Sequence, residues 1–257
     1  MDDLREALLG WYARERRDLP WRGTTDPYAI LVSEVMLQQT QVARVVPRYL
    51  DWIDRWPSAA ALAAASRAEV LAAWVGLGYN RRALALHAAA QVVAARGWPA
   101  DLRTLPGVGP YTAAAVASFA FGAQVAAVDT NARRVAERLG RGTPAELLPA
   151  GRAAEWNQAA MELGATVCTA RAARCGACPV AAWCASAGSV AGPPAPRRGR
   201  AAPFEATNRW VRGRVVAALA AGEDLPAGIA PERLRRAVAG LERDGLVRRV
   251  DGGYSLG

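Results

Sequence analysis

Two carboxylates stand alone in long uncharged stretches. Asp129 is the only charged residue between Arg103 and Arg133, and Glu34 is the only one between Asp26 and Arg44. Asp26 followed by Pro27 reads as a helix start, with Asp as the cap and Pro at the first helical position. That helix predicts one face carrying Ile30, Glu34, Leu37 and Gln41. Apolar surroundings raise a carboxylate pKa and retain its proton, which suits Glu34 to general-acid work. Asp129 precedes "TNARRVAERL", where a plain helix cap would contribute about 1 kcal/mol and where a helix N-terminus favours the anion. A protonated acid paired with an ionised carboxylate is the set that cleaves glycosidic bonds. The acid assists the leaving group and the anion stabilises, or bonds to, the cationic sugar carbon. With DNA as partner, the bond would be the N-glycosidic bond of a base turned out of the stack.

All four cysteines lie in "CTARAARCGACPVAAWC", as Cys168, Cys175, Cys178 and Cys184 with spacing C-x6-C-x2-C-x5-C. Outside an oxidising compartment such a cluster binds metal rather than forming two disulfides. Zinc and an iron–sulfur cluster are both open to four thiolates. Zinc sites more often show two close pairs, and here one pair is close, which favours a 4Fe–4S cluster.

"LPGVG" at 105–109 separates two apolar helical patterns. Gly107 and Gly109 permit a tight turn and close backbone approach, and Pro110 suits the first position of the next helix. The N-terminal amides of that helix would then offer a phosphate site that needs no base readout. An ordinary packing corner between helices has the same signature.

Helical periodicity and Ala, Leu and Arg dominate the elements that must hold these groups, and alternating strand patterns are almost absent before the C-terminus. The expected fold is all-α. "GSVAGPPAPRRGRAAP" from Gly188 reads as a linker. Residues 207–257 read as helix, helix and a hairpin turning at Asp251-Gly252, a winged-helix-like unit suited either to DNA or to packing. The 257 residues carry a net charge of +9, and all 32 basic residues are Arg. A compositional preference for Arg explains the missing Lys but not the excess charge, which favours a polyanionic partner. The first residues, "MDDLREALLGW", carry no export signal. Thr112–Val128 is uncharged but Ala-rich and broken at Gly122, so it reads as a buried helix and a turn rather than a membrane span. A cytoplasmic, nucleoid-associated monomer without membrane contact is expected.

"SEVMLQQTQV" (33–42), "GLGYNRRALALH" (76–87), "LPGVGPYTAAAVASFAFG" (105–122), "VDTNARRV" (128–135) and the four cysteines resemble the helix-hairpin-helix, iron–sulfur DNA glycosylases. The likeness is strongest to the MutY-type adenine DNA glycosylases and covers roughly residues 5–190. The resemblance implies a six-helix domain with the hairpin over 25–132, an iron–sulfur domain from 1–24 and 133–187, a linker over 188–206 and the module at 207–257. It implies a 4Fe–4S cofactor on the four cysteines, double-stranded DNA with a flipped-out base as partner, and excision of adenine opposite 8-oxoguanine or guanine. By position Glu34 resembles the residue that protonates adenine, and Asp129 the one that stabilises the sugar cation, with Tyr111 and Asn131 beside it. Trp21, Arg22 and Gln158 match base-pocket positions. Gln39 and Tyr79 match residues wedged into the duplex around the opposing base, with Gln38 as a neighbouring DNA contact; Leu105, Gly107, Val108 and Gly109 match the hairpin that holds the backbone, and Arg171 and Arg174 would sit on a DNA-facing loop between cysteines.

Tyr111 stands where the related endonuclease III enzymes carry a Schiff-base Lys, and the chain has no Lys. A monofunctional glycosylase is therefore expected, because a Schiff base needs an amine. Asn80 and Thr130 depart from the adenine-type motifs, and residues 207–257 do not match the family's large domain that reads 8-oxoguanine. A glycosylase removing thymine or uracil opposite guanine is the near alternative. Gln38, Gln39, Arg22 and Glu34 favour adenine, since protonating the leaving base helps a purine more. A non-catalytic iron–sulfur DNA-binding protein is the alternative of another class.

Overall fold

The computed structural model describes residues 1–190 and 203–257, so most of the expected linker lies outside the described residues. The described residues are almost entirely helical: α1 (Asp2–Glu15), α2 (Pro27–Leu37), α3 (Val42–Arg55), α4 (Ala59–Ala64), α5 (Arg67–Ala73), α6 (Arg81–Arg96), α7 (Pro110–Phe121), α8 (Thr130–Leu139), α9 (Ala153–Thr166), α10 (Asn208–Ala220) and α11 (Pro231–Arg243). Two strands, β1 (Val247–Val250) and β2 (Gly253–Leu256), close an antiparallel hairpin with Val247 opposite Leu256. Asp251 and Gly252 make its turn, and Gly252 takes φ +82°. The expected all-α fold with a helix–helix–hairpin module is what forms. Among the described residues no helix is long and apolar enough to cross a membrane.

The chain divides into two compact units, Met1–Leu31 with the described part of Val108–Arg197, and Val32–Gly107 with the described part of Arg198–Gly257. These boundaries differ from those expected at 24/25 and 132/133. The reason lies in α7, which packs against α9 and so joins the cysteine-bearing unit.

The core of the first unit is built from Leu4, Leu8, Leu9 and Tyr12 of α1, Val135 and Leu139 of α8, and Trp156 and Leu163 of α9. Cys168, Cys178 and Cys184 pack against it. Arg5 ties α1 to the loop before α9 by donating to the carbonyls of Glu146, Leu147 and Leu148.

In the second unit Trp52 meets Trp56 and Trp74 edge-on, with ring centroids 4.7 and 5.4 Å apart, an arrangement the ring quadrupoles favour. Ser66 and Glu69 form a capping box that starts α5. The C-terminal module belongs to this unit. Its α10 and β2 pack on α5, and Arg67 at the head of α5 donates to the Gly245 carbonyl at 2.7 Å.

Candidate active-site residues and cysteine pocket

Asp129 caps α8 as its sequence position predicts. Its Oδ1 accepts from the Ala132 N–H at 2.6 Å and its Oδ2 from the Asn131 amide at 2.8 Å, so both oxygens are held in place. Asn131 is held in turn, because its Oδ1 accepts from Arg134 Nη2 at 2.7 Å. Arg134 also donates to the carbonyls of Gly164, at 2.6 Å, and Cys168, at 2.8 Å. A Cβ on Gly164 would lie 2.6 Å from Asn131 Cβ and 2.9 Å from its carbonyl oxygen, so only glycine lets α9 approach α8 this closely. Arg134 and Gly164 escaped the sequence reading. A glycine inside the helical pattern "MELGAT" was the available signal. Tyr111, in the first turn of α7, is half-buried with its hydroxyl 3.9 Å from Met161 Sδ.

The three expected pocket residues lie in the same unit. Trp21 is buried. Tyr12 donates to Gln158 Oε1 at 2.6 Å. Arg22 is committed to Glu162, with Nη2 2.6 Å from Oε2, and its guanidinium lies 5.4 Å from the centre of the Tyr12 ring. Arg17 closes on the same carboxylate through Nε at 2.7 Å and Nη2 at 2.8 Å. Glu162 is fully buried. Burial alone would push its pKa up, but the bonds from Arg17 and Arg22 outweigh that and hold it down at about 2. Removing one partner from so buried a pair costs several kcal/mol, roughly 3–5. Glu162 and Arg17 were not singled out in the sequence, because their pairing spans 145 residues.

Glu34 lies on α2 with 6% of its surface exposed, beside the buried Ile30, Leu31, Val35 and Met36. Asp26 Oδ1 accepts from the Tyr28 N–H at 3.0 Å, so the expected cap forms. The helix ends at Leu37, and Gln41 instead stands at the N-cap of α3, off the face expected to include it. After α2 the chain turns through Gln39, whose φ is +56°, and across the unit Tyr79 takes φ +48°. Left-handed backbone costs roughly 1–2 kcal/mol at a residue with a side chain. Arg82 offsets that cost. Its Nη1 donates to the carbonyls of Val35, Met36 and Gln38, and its Nη2 to Thr40 Oγ1 and the carbonyls of Leu77 and Gly78. Two of these acceptors, Gln38 and Gly78, immediately precede the two left-handed residues. Burial, partly offset by Tyr79, lowers the Arg82 pKa to about 10. Arg81 is the exposed member of the pair. Tyr79 is 46% exposed and donates to Gln39 Oε1 at 3.1 Å.

In the hairpin the side chains of Leu105 and Val108 are buried, while Gly107, Gly109 and Pro110 are exposed. Gly107 has φ +75°, and a Cβ there would meet Ala85 Cβ at 2.7 Å, which accounts for the glycine.

The four cysteines are free thiols, all half-buried, and line one cavity of about 300 Å³ counting the solvent at its mouth. Burial pushes the Cys178 thiol up; the Val180 N–H opposes this and the other three cysteines add to it. Arg138 Nη1 sits 3.2 Å from Cys168 Sγ. Among the described residues no group of three or more His, Cys, Asp or Glu side chains converges as a single metal ion requires. Four thiols on the wall of one cavity are a donor set that zinc or an iron–sulfur cluster can take. Arg171 and Arg174, between the first two cysteines, are exposed, and Arg174 donates to the Thr166 carbonyl.

The HhH-GPD superfamily of base excision DNA repair proteins matches residues 32–148. An adenine DNA glycosylase of Mycobacterium tuberculosis is 47% identical over 97% of this chain and 92% of its own length. The Homo sapiens adenine DNA glycosylase is 43% identical over 70% of this chain and 38% of its own. Among solved structures, a thermostable thymine-DNA glycosylase is 28% identical with a TM-score of 0.65, covering 72% of this chain and 96% of that one. An endonuclease III–DNA covalent intermediate shares the fold at 22% identity and a TM-score of 0.60, covering 72% and 94%. The chain belongs to the adenine DNA glycosylase family of the HhH-GPD base excision repair superfamily.

Proposed function

We propose that the protein is a monofunctional DNA glycosylase that hydrolyses the N-glycosidic bond of adenine mispaired with 8-oxoguanine or guanine in duplex DNA. The observation that carries the chemistry is the contrast between Glu34, buried on an apolar helix, and Asp129, whose two oxygens are fixed by the Ala132 N–H and the Asn131 amide. Glu34 gives its proton to a ring nitrogen of the base. The sugar–base bond breaks with its electron pair leaving on the base, and Asp129 stabilises the cationic sugar carbon until water adds and releases a proton. Asn131 and Tyr111 flank this step. Trp21, Arg22 and Gln158 shape the pocket of the flipped base, with the Arg22 charge balanced by Glu162.

Adenine rather than thymine is supported by the 47% identity to an adenine enzyme over 97% of the chain, against 28% to the thymine enzyme over 72%. The hairpin backbone at Gly107 and Gly109 and the exposed Arg171 and Arg174 contact phosphate. Gln39 and Tyr79 enter the stack, and Gln38 contacts DNA beside them. Cys168, Cys175, Cys178 and Cys184 hold a 4Fe–4S cluster, which supplies a fixed scaffold for the loop carrying Arg171 and Arg174. The protein acts as a monomer in the cytoplasm, at the nucleoid. With no Lys in the chain, strand cleavage through a Schiff base is not expected.

Single-turnover base release from duplexes carrying adenine opposite 8-oxoguanine, adenine opposite guanine, and thymine or uracil opposite guanine tests the reading. Adenine release without a borohydride-trapped covalent adduct is the expected result. Release of thymine or uracil alone would overturn the substrate, and a trapped adduct would overturn the monofunctional assignment.

A further inference from the structure

The C-terminal module reaches the strained surface of Gln39 and Tyr79 through one residue. Arg209, in the first turn of α10, lays its guanidinium over the Tyr79 ring at 4.1 Å from the centroid and donates through Nη1 to the Tyr79 hydroxyl at 3.2 Å. A Cβ on Gly78 would stand 3.0 Å from Arg209 Nη2, and Gly78 has φ +71°, so the turn before Tyr79 leaves room for this side chain. The placement is anchored, because α10 packs on α5 and Arg67 of α5 donates to Gly245 of the module. Both members of the stack remain exposed. A guanidinium fixed on an exposed aromatic ring extends a flat π-surface and gives it a positive charge. Exposed aromatics and Arg planes on a basic surface are what stack against nucleic-acid bases. Left-handed residues held against their preference mark functional surfaces more often than structural ones.

We propose that Arg209 is a DNA-contacting residue, and that the C-terminal module delivers it to the Gln39–Tyr79 surface, where the stacked pair meets the base step beside the extruded nucleotide. This rests on the reading of the chain as a DNA glycosylase, but not on which base it removes.

The test is equilibrium binding of the full-length, cluster-loaded protein to a duplex carrying uncleavable 2′-fluoro-2′-deoxyadenosine opposite guanine. Arg209→Ala should weaken binding about tenfold, as loss of one stacked cationic contact implies. Arg209→Lys keeps the charge but not the planar stack, and should stay about threefold weak. Arg236→Ala removes an equal charge from the exposed face of α11 and should stay within about twofold of wild type. In a Tyr79→Ala background the Arg209→Ala loss should shrink to about twofold, because the two act together. Wild-type affinity in Arg209→Ala, full rescue by Lys, an equal loss in Arg236→Ala, or additive losses with Tyr79→Ala would each overturn the proposal. Binding to this duplex needs no chemistry. A wild-type protein that releases no adenine would therefore refute the substrate reading while leaving the Arg209 comparison intact.

Discussion

Arg134 and Arg82 solve a similar problem in two different ways. Each stands three residues after the residue it organises, Asn131 in one case and Tyr79 in the other. Arg134 acts on side-chain polarity: it holds the Asn131 amide, which holds Asp129. Arg82 acts on the backbone: it fills the carbonyls that lead into each of two unfavourable turns. The first loop fixes Asp129, the proposed stabiliser of the sugar cation, on a relaxed helix cap. The second stores strain to keep an aromatic side chain on the surface. A group that must meet developing charge needs fixed hydrogen-bond donors. A group that must intrude into a stack needs a conformation the chain would not otherwise adopt, and hence a structural hub behind it.

The sharpest way to break this contrast is at Asp129 itself. Asn caps a helix about as well as Asp, so Asp129→Asn should leave thermal stability and duplex affinity close to wild type. Single-turnover base release should fall about a thousandfold, the scale of losing a preorganised charge in the transition state. Unchanged base release would reduce Asp129 to a helix cap and overturn its role in stabilising the sugar cation. The opposite pattern is expected at Arg82. Arg82→Ala orphans acceptors around both turns and should cost about 3–4 kcal/mol of stability, read as a lower melting temperature together with weaker duplex binding. Arg82→Lys should recover little, since an ammonium has three donors and no planar fork. Full stability in Arg82→Ala would mean that the left-handed turns hold themselves.

The two units also differ in how they neutralise buried polarity, and pH separates them. Glu162 in the first unit has a folded pKa of about 2, below its ordinary 4.5. Its contribution is therefore fully present above about pH 4.5 and is lost as pH falls towards 2, a change on the order of 3 kcal/mol. The two Nη atoms of Arg82 are satisfied by carbonyls and a hydroxyl, which do not titrate in that range. Hydrogen exchange between pH 5 and 2.5 should show α1 and α9 losing protection before α6. Glu162→Gln should remove the acid dependence and lower stability at neutral pH. Equal loss of protection in both units on acidification would contradict the assignment.

What the sequence revealed followed from local rules. The caps at Asp26 and Asp129, the glycines of the hairpin, the stop at Gly122 and the Asp251-Gly252 turn are each decided within a few residues, and each formed where expected. The apolar residues that flank Glu34 in sequence are the ones it is buried among, which is what its place on an uncharged helix implies. Pairings across 145 residues, such as Arg17 with Glu162, leave no periodicity to read. Arg81 and Arg82 looked alike as neighbours on one helix, yet one is solvated and the other is a hub, and only the position of the facing turns decides which. The same holds for Arg209, whose partner ring is 130 residues away. In a chain whose cations are all Arg, charge marks the partner class but does not tell a surface arginine from a structural one.

The smallest of the expected effects tests that distinction at Arg134. Truncating it leaves Asp129 capping α8 through the Ala132 N–H, so the helix start survives. The Asn131 amide loses the bond that fixes its plane and becomes free to rotate away from Asp129 Oδ2. One weakened donor beside a carboxylate that works electrostatically corresponds to about 1.4 kcal/mol, or about tenfold in rate. Arg134→Ala should therefore slow single-turnover release about tenfold at saturating protein, with duplex affinity unchanged within twofold. Asn131→Ala should match it, and the double variant should be no slower than either alone, because both remove the same link. Additive losses would mean that Arg134 acts apart from Asn131, through its bonds to Gly164 and Cys168 or on the DNA itself, and that the relay from arginine through asparagine to aspartate plays no part in catalysis.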